Sequence, residues 1–113
     1  MNRLAIFLLT LLLIVTVVAQ DRDGREKAPK GDIAEGQAAF EGECYDCHNA
    51  DSDVVKLGPG FKGVKNGKLP SGKDATRENV LAIVNQGSGE MPPFADTLTD
   101  QEKEDVIAYV LSR

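Results

Sequence analysis

The stretch "ECYDCHNAD", Glu43 to Asp51, holds both cysteines and the only histidine of a 113-residue chain. Cys44 and Cys47 stand three positions apart, and His48 follows directly. Such a pattern serves a redox dithiol, part of a zinc site, or the covalent anchor of a haem. A thioredoxin-like dithiol sits beside a βαβ pattern, whereas a helical pattern precedes this one and no alternating strand pattern of useful length appears. A structural zinc takes four ligands; two Cys and one His fall short unless an acid such as Asp46 or Asp51 joins them, and a second Cys/His pair is missing. Covalent haem attachment needs only what is present. The thiols add to the porphyrin vinyl groups, and the adjacent histidine is held beneath the iron. A five-residue motif also arises by chance, so the rest of the chain has to bear the reading out.

A haem iron needs a ligand on its other face. Apart from Met1, the chain has one methionine, Met91, within "GSGEMPPFAD". A lone methionine commonly fills a core. This one follows Gly-x-Gly and precedes Pro-Pro, in a segment that can neither continue a helix nor flex freely. That setting suits a held thioether, and methionine is an axial ligand of c-type haem.

Outward from the motif, three helices are legible. Asp32 to Glu43 begins on an N-cap aspartate with Glu35 three residues on, and places Ile33, Gly36 and Phe40 on one face. Thr76 to Asn85 puts Val80, Ile83 and Val84 on one side, with Gly87 as a stop. "TDQEKEDVIAYVLSR" opens with Thr99 and Glu102 in a capping-box arrangement and should bury Val106, Ile107 and Val110. The predicted class is all-α. Between the first two helices, Asn49 to Asp74 forms a long connection of the kind that is functional or disordered. Its five lysines (Lys56, Lys62, Lys65, Lys68, Lys73) have no acid among them from Val54 to Lys73, which reads as solvated loop or as a docking patch on an acidic protein.

The chain opens with Arg3 and then sixteen uncharged, mostly apolar residues, Leu4 to Ala19, ending in Val17-Val18-Ala19. This predicts a signal peptide over 1–19, cleaved after Ala19; the rival is an uncleaved anchor, though the run falls short of a span of about 20. Residues 20–31 read as a polar lead-in and 32–113 as the folded domain. Losing Arg3 would take the formal charge from −5 to −6. An acidic chain without a dense basic cluster argues against nucleic acid. A domain this small is marginal on its own, and a Cys44–Cys47 bridge would close too small a loop to staple it. A haem would supply the missing centre of the core, stabilising at roughly 25 cal/mol per Å² of apolar area buried.

Over residues 32–113 the chain resembles the class I c-type cytochromes of the short bacterial sort. Gly36 and Phe40 precede "CYDCH" at that family's spacing; "LGPGF", "MPPF" and a final helix bearing Tyr109 follow in order. The resemblance implies three main helices and long loops wrapped around one covalent haem c. It implies that Gly36 lets helices cross closely while Phe40 meets Tyr109. It also implies that the Pro59 carbonyl accepts the Nδ1 proton of His48, leaving Nε2 for the iron. The expected cofactor-binding set is thus Cys44, Cys47, His48, Pro59 and Met91, with His48 and Met91 on the metal. The implied function is one-electron transfer between redox partner proteins in the periplasm, by a monomer that is not an enzyme and touches a membrane only if residues 4–19 stay attached. Two rivals remain: a haem peroxidase or ligand sensor in which Met91 leaves the iron, disfavoured by the lack of a second histidine, and a tethered cytochrome dedicated to one oxidoreductase. Lys56, Lys62, Lys65, Lys68, Lys73 and Asn66 are candidate propionate partners.

Overall fold

In the computed structural model, which describes residues 29–113, Asp32 closes the polar lead-in and caps the first helix, α1 (Ile33–Glu43). The leader at 1–19 and most of the lead-in lie outside the described residues. The Asp32 carboxylate accepts from the backbone N–H of Ala34 and Glu35, satisfying two of the donors a helix start leaves unpaired. The return bond expected from Glu35 comes from elsewhere: the Asp32 N–H donates to Asp105 Oδ1 at 2.7 Å. Gly36 and Phe40 are buried as expected, but Ile33 is half exposed, because α1 turns its first residue away from its neighbours.

The second helix, α2 (Arg77–Gln86), starts on Thr76, whose hydroxyl accepts from the Asn79 N–H. It buries Val80 and Val84 and leaves Ile83 partly covered. The third, α3 (Asp100–Leu111), carries the expected capping box between Thr99 and Glu102. Hydrogen bonds from the Thr99 backbone and hydroxyl hold the Glu102 carboxyl below its ordinary value. Val106, Ile107 and Val110 are buried, together with Tyr109. No strand forms among the described residues; there are two isolated bridges, Lys68 with Asp74 and Ser88 with Met91.

Helix α3 is the hub. It packs on both α1 and α2, whereas those two make no close backbone approach to each other. Contact with α1 is tight at Gly36, where a Cβ would lie 1.9 Å from the Asp105 carbonyl oxygen. One turn on, the Phe40 and Tyr109 rings meet at 5.3 Å between centroids, and Phe61 comes edge-on to Phe40 at 6.0 Å. The charged start of α3 is less solvated than its sequence suggests. Lys103, Glu104 and Asp105 are all buried, with Glu104 paired to Arg77 of α2 and Gln101 bonded to the Lys30 carbonyl.

The long connection has structure of its own. Val64–Asn66 forms a turn of 3-10 helix, Val64 and Leu69 are buried, and the Lys65 N–H donates to the Arg113 carbonyl at the end of α3.

Candidate functional site

At the end of α1 the chain tightens into one more turn, with the Cys47 and His48 N–H groups both donating to the Cys44 carbonyl at 3.1 and 2.9 Å. That turn brings Cys44, Cys47 and His48 to one wall of a cavity of about 500 Å³, within the ~300–1,000 Å³ typical of cofactor sites. The cavity occupies the gap between α1 and α2. Phe40, Phe61, Leu69, Val80, Val84 and Val106 make its lining largely apolar.

His48 is buried and held on several sides. Its Nδ1 lies 2.8 Å from the Pro59 carbonyl oxygen. A carbonyl only accepts, so Nδ1 carries the proton, and in the neutral ring the lone pair is then on Nε2. The Phe61 ring stacks on the imidazole at 4.8 Å and 21°. Gly58 passes so close that a Cβ there would lie 2.3 Å from Cε1, and its N–H donates to the Cys47 carbonyl at 2.8 Å.

Met91 lines the same cavity. Its backbone exchanges two hydrogen bonds with Ser88, at 3.0 and 3.1 Å. Further on, the Phe94 N–H donates to the Val84 carbonyl at 2.8 Å, and the buried Lys103 ammonium donates to the Ala95 carbonyl at 2.7 Å. The Met91 segment is therefore fastened to α2 and to α3.

All five expected residues, Cys44, Cys47, His48, Pro59 and Met91, line this one cavity. None of the five loop lysines does, nor does Asn66. Lys68 is paired with Asp74, and Lys56 is bound to Tyr45. The charged groups at the lining are instead the exposed carboxylates Glu43, Asp46 and Glu90. Sequence reasoning also passed over Leu69 and Lys103. Leu69 carried a signal, as the only aliphatic residue in a polar run from Lys65 to Asp74. Lys103 carried only a local pairing with Asp100 three residues back, which does not reveal its bond to the Ala95 carbonyl in the preceding loop.

The cysteines are free thiols, and burial, reinforced by Glu43 and Cys47, pushes Cys44 up to about 11. A reactive dithiol needs the opposite shift. No group of three or more His, Cys, Asp or Glu side chains is placed to hold a metal ion among the described residues, which removes the zinc reading there. A flat apolar macrocycle fits: two thiols at one wall, one imidazole nitrogen without a protein partner, a thioether facing the same space, and a glycine where any side chain would strike the imidazole.

An all-α fold of this kind, with a C-x-x-C-H turn on a haem-sized apolar cavity, defines a class I c-type cytochrome. Comparison with known proteins agrees: the chain belongs to the family described as cytochrome c oxidase, cbb3-type, subunit III, matched over residues 31–110. It is 33% identical over 82 residues to a cytochrome c6 of Synechocystis sp., covering 73% of this chain and 66% of that protein. It is 34% identical over 82 residues to cytochrome c6 of Synechococcus elongatus, covering 73% and 91%. Among solved structures, cytochrome c6 from the diatom Phaeodactylum tricornutum superposes with a TM-score of 0.57 at 29% identity, over 73% of this chain and 93% of that one. The protein carries one covalent haem c through Cys44 and Cys47 and works as an electron carrier, not an enzyme.

Proposed function

We propose that His48 through Nε2 and Met91 through its sulfur are the two axial ligands, that the Pro59 carbonyl fixes His48, and that the protein shuttles single electrons between protein partners outside the cytoplasm. The observation that carries this is the pairing of His48 and Met91 on one cavity, with Nδ1 already bound by Pro59. When bound, the haem supplies a one-electron iron couple. The protein's part is to hold both donors so that no position stays open to a substrate, to shield the centre from water, and to favour the ferrous state with a thioether. The Pro59 bond keeps the imidazole in one tautomer and raises its basicity.

The partners are proposed to present basic surfaces, since Glu43, Asp46 and Glu90 border the cavity and no lysine or arginine does. The leader at 1–19 is proposed to direct export and to be cleaved after Ala19, giving a diffusible periplasmic carrier; N-terminal sequencing of the exported protein checks it. The ligand pair is tested by optical spectra of the purified protein in both redox states. A c-type spectrum with the long-wavelength sulfur-to-ferric-iron band, lost in Met91→Ala, is the expected outcome. A high-spin spectrum lacking that band in the unsubstituted protein unseats Met91.

A further inference from the structure

Lys56 lies eight residues beyond the proposed ligand His48 and does not line the cavity, yet three of its contacts converge on the histidine's support. Its ammonium donates to the Tyr45 carbonyl at 2.6 Å and sits 3.8 Å above the Tyr45 ring, combining a charge-assisted hydrogen bond with a cation–π contact. Its backbone N–H donates to the Gly58 carbonyl at 3.0 Å. Gly58 in turn donates to Cys47 and presses on the imidazole, and the next residue supplies the carbonyl on Nδ1. Helix α1 has no basic residue in its last turn; Lys56 brings a positive charge to that end from a distant loop, where the helix dipole favours it.

We propose that Lys56 is a positioning residue for the axial histidine: it latches loop 54–60 onto the C-x-x-C-H turn and so keeps the Pro59 carbonyl on His48 Nδ1. This rests on the ligand reading above. The other loop lysines do not share the role. Lys68 pairs within its own turn, and no side-chain partner engages Lys62, Lys65 or Lys73 among the described residues.

The test uses the haem-loaded protein in its diamagnetic ferrous form and follows solvent exchange of the His48 Nδ1 proton by NMR. Lys56→Met keeps the stem and removes the donor and charge, and the side chain is exposed, so the fold should survive. Exchange should rise about fivefold, the factor that goes with the net worth of one hydrogen bond. Amides of Val106 and Ile107 in α3 should keep their rates, and Lys56→Arg should return the Nδ1 rate toward that of the unsubstituted protein. An unchanged Nδ1 rate in Lys56→Met overturns the proposal, as does an equal rise in the α3 amides. Haem-shifted His48 ring resonances report separately on ligation. Their absence would unseat His48 as a ligand, while Lys56 would still stand or fall on the exchange factor.

Discussion

His48 shows how little freedom a single side chain needs to be given. The Pro59 oxygen fixes its tautomer, Phe61 covers one ring face, and Gly58 leaves no room for a methyl group. Gly58→Ala places that methyl 2.3 Å from Cε1 and 2.9 Å from Nε2. The imidazole or the loop must move, at a cost of about 1–3 kcal/mol for overpacking, or a fall in Tm of several degrees. Thermal unfolding of the ferrous protein should show that fall, and the optical spectrum should gain a high-spin fraction. A Gly58→Ala protein with unchanged Tm and spectrum would mean that the loop, and not the glycine, sets the clearance. From sequence alone, Gly58-Pro59-Gly60 is a turn and nothing more; only the family resemblance points at the Pro59 carbonyl. The reason is that its partner lies eleven residues back, and no local pattern encodes that meeting.

Among the elements, the α1–α3 crossing matters most for the cavity, because α3 is the helix that packs on both α1 and α2 and it contributes Val106 and Val110 to the lining. At Gly36 the approach is tight, and the atom a Cβ would strike is the Asp105 backbone oxygen, which cannot swing aside. Gly36→Ala gains up to ~1 kcal/mol of helix propensity but forces the helices apart, and the net loss should be about 1–2 kcal/mol. Gly42→Ala, in the same helix with nothing within 4 Å of its Cβ, has only the favourable term and should gain a few tenths to ~1 kcal/mol. Equilibrium denaturation of the two variants should therefore move in opposite directions. The helices themselves were legible because their signals are local: the Thr99/Glu102 box, the stripe of Val106, Ile107 and Val110, the caps at Asp32 and Thr76. What stayed hidden is the polar side of α3. No local pattern singles out Lys103, Glu104 and Asp105, and each is buried with a partner outside α3: the Ala95 carbonyl, Arg77 and the Asp32 N–H.

At the scale of the molecule, the question is which charges a partner meets. The loop lysines read as solvated loop or as a docking patch, and the cavity border carries instead Glu43, Asp46 and Glu90, all exposed and without an ion-pair partner among the described residues. Beside them Leu57, 74% exposed, offers apolar contact of the sort found at the centre of an interface. Long-range steering depends on the sign of the local field and weakens as the Debye length falls below about 10 Å. Oxidation of the ferrous protein by hexaamminecobalt(III) should thus be fast at low salt and slow down as salt is added, with ferricyanide showing the opposite trend. Net charge alone would produce the same trends, so location has to be tested. Glu43→Gln/Asp46→Asn/Glu90→Gln should cut the low-salt rate with the cationic oxidant by about tenfold. Glu35→Gln/Glu78→Gln/Asp96→Asn removes the same charge from exposed positions that do not line the cavity, and should change that rate by less than about twofold. Equal effects from the two sets would leave steering to the charge of the whole protein, and a larger effect from the second would move the electron-transfer face away from the carboxylate rim.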